Sequence, residues 1–328
     1  MRLCRLLTTT FAGVLLLGGS AGAAEWQVPA DFATIQEAID SPSVHAGDAI
    51  VVAPGSYAGA TVTKAVDIRG TSPATIVDGP VVSPFGKAGF YFPGDGQGSG
   101  ASITGFAFAG LPLPVFSRGA DDVTVTQNTL SLFLQGVTNW GYGSWGNRWL
   151  IADNTLSDPG TSCGAGIGIM IGDFEGGTVA GNVIARNVIS GRVRVPADDC
   201  GGYNAPGILL YADFRGAAGA RIEGNIVTKN RVAIRAGTPR HGGDLVTFSG
   251  IEISDTRDDW TNQPPAIESN VVNYNDLRGM EVPLSYNPDE LASPTNQIEN
   301  NYTSPGDYIL NRRPGTRTLA RPASSPIR

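Results

Sequence analysis

The chain has 328 residues, enough for one large β-domain or two ordinary ones. Glycine is abundant (44 residues), only 16% of residues are charged, and Asn recurs at turns between short Val/Ile runs, which suits short strands and tight turns rather than helices. A formal net charge of −7 argues against a nucleic-acid partner, because neutralising phosphates needs a basic surface.

Residues 1–24 read as an export signal. Arg2 and Arg5 supply a positive start, residues 11–17 an apolar core, and Ala21-Gly22-Ala23-Ala24 a small-residue cleavage site. The apolar run is too short to span a bilayer, so no transmembrane segment is expected. Cys4 precedes the apolar core, whereas a lipid-bearing cysteine would follow it. Cleavage near Ala24 leaves 21 basic against 30 acidic residues, a charge of about −9. The expected location is the periplasm, the extracellular space or the cell surface.

Pro29-Ala30-Asp31-Phe32-Ala33-Thr34-Ile35-Gln36-Glu37-Ala38-Ile39-Asp40 predicts a short amphipathic helix with Asp31 as N-cap. After it come Ala46-Gly47-Asp48-Ala49-Ile50-Val51-Val52-Ala53-Pro54-Gly55-Ser56-Tyr57, then Val66-Asp67-Ile68-Arg69-Gly70 and Ala74-Thr75-Ile76-Val77-Asp78-Gly79. No apolar segment of period 3.6 and helical length follows residue 40. This opening resembles that of right-handed parallel β-helix proteins of the pectin-lyase-like superfamily. The resemblance implies that residues 29–45 cap the open end of a solenoid. Physically, the first coil of a solenoid exposes a strand edge and apolar core and needs such a cover.

Strand-like runs continue at Ser102-Ile103-Thr104, Val123-Thr124-Val125-Thr126 and Trp149-Leu150-Ile151-Ala152. Three later stretches overlay on one another. They are Gly166-Ile167-Gly168-Ile169-Met170-Ile171-Gly172-Asp173, Gly207-Ile208-Leu209-Leu210-Tyr211-Ala212-Asp213 and Gly250-Ile251-Glu252-Ile253-Ser254-Asp255. Each is followed by a strand entered through Asn182, Asn225 or Asn270. Repetition of a short strand–turn unit means a solenoid. The expectation is a single all-β, right-handed parallel β-helix over residues 25–310, of about ten coils. Asn turn positions at 128, 154, 182, 225 and 270 are 26 to 45 residues apart. A bare coil takes roughly 20–25 residues, so insertions are expected at 139–148, 192–204, 236–245 and 258–265. Asn128, Asn182, Asn225 and Asn270 are expected to stack as one inward ladder. Residues 311–328 form a basic, Pro-rich tail.

Cys163 and Cys200 each precede a matching strand, so they would emerge from one edge of neighbouring coils. An exported protein favours a disulfide there, with two buried thiols as the alternative.

Recurrence at one place in the unit stacks residues, so Asp173, Asp213 and Asp255 would form a column spaced about 4.8 Å. Close carboxylates split their pKa values, giving the acid and base or nucleophile of glycoside hydrolysis. The same column could hold Ca²⁺, or each Asp could simply cap its turn. Two residues further on stand Glu175, Arg215 and Arg257. Arg215 and Arg257 could grip a uronate carboxylate, or the set could be a surface ion pair. An arginine base with carboxylate-held Ca²⁺ is similar to the polysaccharide lyases of this superfamily.

Three of the five tryptophans, Trp140, Trp145 and Trp149, fall within ten residues, spaced by glycine and joined by Tyr142. An indole suits the apolar face of a sugar, although such a loop can also fold onto its own solenoid. Tyr211 and Lys229 are further candidates for substrate contact. Pectin methylesterases and polygalacturonases share parts of this pattern, but Asp173-Phe174-Glu175-Gly176, Asp121-Asp122 and Arg240-His241-Gly242 do not reproduce their motifs.

Two functions follow as expectations. One is an exported monomer acting on an acidic polysaccharide, a lyase or a glycoside hydrolase. The other is a non-catalytic surface or matrix protein that binds glycan or a protein partner.

Overall fold

The computed structural model describes residues 22–143, 145–162, 166–173, 176–199, 204–212, 220–236, 246–255, 267–286 and 295–304. The proposed signal up to residue 21, Cys163, Cys200 and the tail therefore lie outside the described residues.

The chain winds as a parallel β-helix whose coils visit three sheets in turn. Sheet 1 has ten strands, from Glu25–Val28 to Gln297–Glu299. Sheet 2 has seven, from Gly55–Ala58 to Arg231–Ala236, and sheet 3 has nine, with Ala60–Thr61 and Val282–Ser285 at its ends. Pairing is parallel throughout except where Val81–Val82 folds back on Gly86–Phe92. A short fourth sheet joins Gly177–Ala180, Ala220–Glu223 and Ile267–Glu268.

Each sheet contributes one apolar column to the core. Strict register stacks Ile50, Ile68, Ile103, Val125, Ile151, Ile184, Val227 and Val272 in sheet 1. Ile76, Phe108, Leu130, Leu156, Ile189 and Val232 do so in sheet 2. Phe90, Val115, Val137, Ile169, Ile208, Ile251 and Leu284 do so in sheet 3. All belong to one buried cluster. At about 1.5–3 kcal/mol per buried aliphatic side chain, these columns are the main stabilising element.

The corners between the columns are made by asparagine. The residues before the turn, Gln127, Asp153, Arg186, Lys229, Tyr274 and Asn300, all adopt φ between 54° and 59°. The residue after each turns inward. Asn128, Asn154, Asn187, Asn230, Asn275 and Asn301 join in a chain, each Nδ2 donating to the Oδ1 of the next at 2.9–3.1 Å. The same Oδ1 accepts the backbone N–H of the asparagine one coil before, as when Asn154 N donates to Asn187 Oδ1 at 3.0 Å. The second Nδ2 hydrogen reaches back to a main-chain carbonyl, such as that of Ile151 for Asn187. A second ladder, Asn182, Asn225, Asn270 and Asn296, runs along the corner that enters sheet 1, at 2.8–3.1 Å.

The single ladder expected from sequence is thus two. Asn128 belongs to the exit corner, while Asn182, Asn225 and Asn270 belong to the entry corner. The physical reason is that a three-residue strand lies between two inward-turning corners, as Val183–Ala185 does between Asn182 and Asn187.

The helix is Ile35–Asp40, and its N-cap is Thr34 rather than Asp31. Thr34 Oγ1 accepts from Glu37 N at 3.1 Å and Glu37 Oε2 accepts from Ala33 N at 3.1 Å, a reciprocal capping pair. Asp31 instead accepts from Gln27 N at 2.7 Å, closing the preceding turn. Ile35, Ala38 and Ile39 sink into the core cluster. Gln36 meets both backbone groups of Thr61 on the outer edge of sheet 3.

Asn187→Ala leaves the buried Asn154 amide and Asn154 N–H without their acceptor. It should lower unfolding free energy by about 2–4 kcal/mol in urea titrations, given about 1–3 kcal/mol per orphaned buried polar group.

Candidate functional site

Sheet 3 carries the longest strands and bends along its length. In register at the bend lie Gly89, Pro114, Gly136, Gly168, Gly207, Gly250 and Pro283, as counted from their paired neighbours. Glycine is required here by close approach. A Cβ on Gly136 would stand 2.6 Å from the Gly168 carbonyl oxygen, and one on Gly250 2.6 Å from that of Pro283. At this point two consecutive residues face the core, for example Gly168, which abuts Ile189, and then Ile169. The outward side chains on either side of the bend therefore meet over it.

The result is a groove on the outer face of sheet 3. One lane runs Tyr91, Phe116, Thr138, Met170, Leu209, Glu252 and Ser285. Six steps of the ~4.8 Å strand spacing make it about 29 Å long. Across the bend lie Ala88, Leu113, Gln135, Ile167, Pro206, Ser249 and Val282. Contacts join the two lanes: Thr138 Oγ1 donates to Gln135 Oε1 at 3.2 Å, and Ile167 packs with Met170 and Leu209. A third lane holds Trp140, Gly172, Tyr211 and Ser254.

The sequence candidates distribute unevenly over this frame. The Asp column is offset. Asp173 pairs with Ala212, and Ala212 with Asp255, so Asp213 falls one residue beyond the register. Aligning the three stretches on their terminal Asp hid that slip, and strand side chains alternate faces with each residue. Asp173 and Asp255 are thus two coils apart, about 10 Å along the stack, too far for the adjacent-coil coupling expected of them. Asp173 is fully buried, and its Oδ2 accepts from Arg221 N at 3.3 Å. Asp213, Arg215 and Arg257 lie outside the described residues, as does the side chain of Asp255. Among the described residues, no group of three or more His, Cys, Asp or Glu converges as a metal site.

The tryptophan cluster divides three ways. Asn139 and Trp140 lie within the strand Gln135–Gly141 rather than in a loop. Trp140 sits in the groove, 4.9 Å from Phe85 and 5.3 Å from Phe116, with Tyr142 at 6.3 Å. Trp149 is core, edge-on to Phe92, with its indole N–H donating to Ala120 O at 2.6 Å. Trp145 is exposed and lies over Gly96 and Gly119. Asp121 ties the intervening turn by accepting from Gly146 N and Asn147 N at 2.9 Å. Tyr211 shares the groove with Met170 and Leu209. Lys229 does not; it forms the exit corner of sheet 1 at φ 57°.

Sequence reasoning passed over Glu252, Asn204, Ser249 and Ser285. Glu252 is 6% exposed, and Asn204 Nδ2 donates to its Oε2 at 2.6 Å and to Ser285 Oγ at 3.2 Å. The available signal was an acid in the lane where the aligned stretches carry Met170 and Leu209.

Comparison with known proteins adds little. No protein-family model matches the chain, and no curated protein matches it. A solved structure of a pectin methylesterase in complex with a hexasaccharide matches 88% of this chain and 92% of its own, at 12% identity and a TM-score of 0.38. A likeness that distant bears on neither chemistry nor substrate.

Two predictions follow from this geometry. Gly136→Ala places a methyl against the Gly168 carbonyl and should cost about 1–3 kcal/mol of unfolding free energy, the usual range for overpacking. Arg148 hydrogen-bonds Asp122 and holds its carboxyl below the ordinary value. The folded pKa is thus the lower one. The pair stabilises above about pH 4 and its contribution fades as pH falls through the depressed value. Both groups are more than half exposed. Arg148→Ala should therefore cost under about 1 kcal/mol at pH 7, and acid titration of stability should show that difference closing toward pH 2.

Proposed function

We propose that the chain is an exported, polysaccharide-active β-helix protein that holds a glycan lengthwise in the outer groove of sheet 3. In this reading about ten coils stack behind the helix as an N-terminal cap, and the protein acts as a monomer. The observation that carries it is the aromatic half of the groove, where Trp140 meets Phe85 and Phe116 and Tyr142 and Tyr211 stand beside it. Indole and phenol rings offer the flat apolar surface that the C–H face of a sugar covers, with a polar edge for its hydroxyls.

The finer chemistry proposed is a lyase acting on uronate units. Arg215 and Arg257, which follow the strands of the same sheet in sequence, would neutralise the uronate, with Ca²⁺ held by Asp173, Asp213 or Asp255. A non-catalytic role is the second reading, favoured by Asp173 being fully buried and engaged with the Arg221 backbone.

The test is a panel of neutral and acidic polysaccharides, with Ca²⁺ and with chelator. Binding should weaken about tenfold, or about 1.4 kcal/mol, in Trp140→Ala and be largely kept in Trp140→Phe. Products absorbing in the ultraviolet would establish the lyase, new reducing ends without that absorbance a hydrolase, and binding without products the second reading. No binding to any glycan would refute the groove assignment.

A further inference from the structure

We propose that the exported chain begins at Ala24, released by cleavage of the Ala23–Ala24 bond, and that the Asp48 carboxylate is the receptor for its new α-ammonium group. The inference rests on the export reading and is independent of the groove. Signal peptidases take small residues one and three places before the cut, and two bonds here qualify. Ala21 and Ala23 precede the Ala23–Ala24 bond, while Gly22 and Ala24 precede the Ala24–Glu25 bond. The fold separates them. Gly22 and Ala23 are exposed and make no hydrogen bond among the described residues. Ala24 belongs to the solenoid: its N donates to Asp48 Oδ1 at 2.8 Å, and its carbonyl accepts from Ala49 N at 2.8 Å. The strand Glu25–Val28 then pairs with Ala49–Val52 and forms the first edge of sheet 1. A cut at Ala24–Glu25 would discard both Ala24 contacts.

The second observation is the state of Asp48. It is 6% exposed, and its Oδ2 accepts from His45 N at 2.9 Å and from the Trp26 indole N–H at 3.1 Å. The backbone N–H groups of His45 and Ala24, with the Trp26 indole, hold its carboxyl below the ordinary value, so it is anionic at neutral pH. Among the described residues it pairs with no lysine or arginine. The one basic side chain beside it is the largely exposed His45, whose Nδ1 stands 3.9 Å from Oδ2. A buried carboxylate held by neutral donors gains when one of those donors becomes a cation. The Ala24 nitrogen already stands where that cation would act.

The step is a hydrolysis by a signal peptidase. The oxygen of water bonds to the Ala23 carbonyl carbon as its C–N bond to Ala24 breaks. Ala23 leaves as a carboxylate, and the Ala24 nitrogen takes both water protons to become an ammonium. The signal then ends at residue 23, and the hydrogen bond to Asp48 joins two full charges at the edge where the solenoid begins. An uncut chain keeps a neutral amide N–H in that place. Processing and stability are linked in this way: the cut that frees the protein also supplies the counter-charge of a buried acid in its first coil.

The experiment expresses the full precursor in an exporting bacterial host and reads the N-terminus of the exported protein by mass spectrometry. The expected first residue is Ala24. A start at Glu25 or any other residue overturns the inference while export stands; a chain that keeps Met1 and stays in the cytoplasm refutes export and the inference with it. Three forms of residues 24–328 are then unfolded in urea: with a free α-amine, with that amine acetylated, and with Gly22-Ala23 retained. Acetylation keeps an N–H on Ala24 and removes only its charge. The unfolding constant should be about tenfold larger in both neutral forms, in line with the greater strength of a fully charged hydrogen bond. In D48N the gap between charged and neutral forms should shrink to within about twofold, the coupling that a direct pair requires. Equal stability of the three forms with Asp48 in place overturns the receptor role, and so does a tenfold gap that survives D48N. Should D48N fail to fold, the comparison of the three forms decides by itself.

Discussion

In the strands described, each paired residue has its counterpart about 4.8 Å away in the next coil, and the structure depends on those counterparts tolerating one another. Apolar side chains do so by stacking in three columns. Backbone corners do so through asparagine, whose amide both donates to and accepts from its own kind. The two ladders hold the corner backbone N–H groups as well as the side chains, so register is enforced at the places where the chain turns. A carboxylate cannot form such a ladder, since it only accepts. That is why aspartates in this chain appear at isolated rungs, tied to backbone N–H groups or to arginine, as Asp48, Asp121 and Asp173 are.

The same constraint shapes the groove. At the bend in sheet 3 the next coil's carbonyl approaches where a Cβ would stand on Gly89, Gly136, Gly168, Gly207 and Gly250, and glycine supplies the space at these rungs. The bend then converts an ordinary sheet face into a concave surface on which outward lanes touch. Aromatic rings occupy one half and the polar set of Asn204, Ser249, Glu252 and Ser285 the other.

Much of the fold was legible from residues alone. Short β-branched runs punctuated by Asn and Gly predicted strands and corners, and the core columns follow from period-2 alternation. The helix was legible too, although its N-cap shifted from Asp31 to Thr34 because a turn at residues 29–31 uses Asp31 first. The site was less legible. Three aspartates ending three similar stretches looked like a column, yet the register places Ala212 where Asp213 was expected. The tryptophan cluster looked like one feature, yet a strand, a turn and a core position share it.

What the sequence by itself determined is the repeating unit: a short apolar strand, then a turn marked by asparagine. These are local preferences, and each coil states them again. What only the tertiary structure decided is which residue of one coil faces which residue of the next. Paired residues of neighbouring coils are separated by 18 to 45 residues along the chain, with unequal lengths between them. A slip of a single residue moves a side chain from the groove to the core, so the meeting of Asn204, Glu252 and Ser285, spread over 81 residues, is set by backbone register alone.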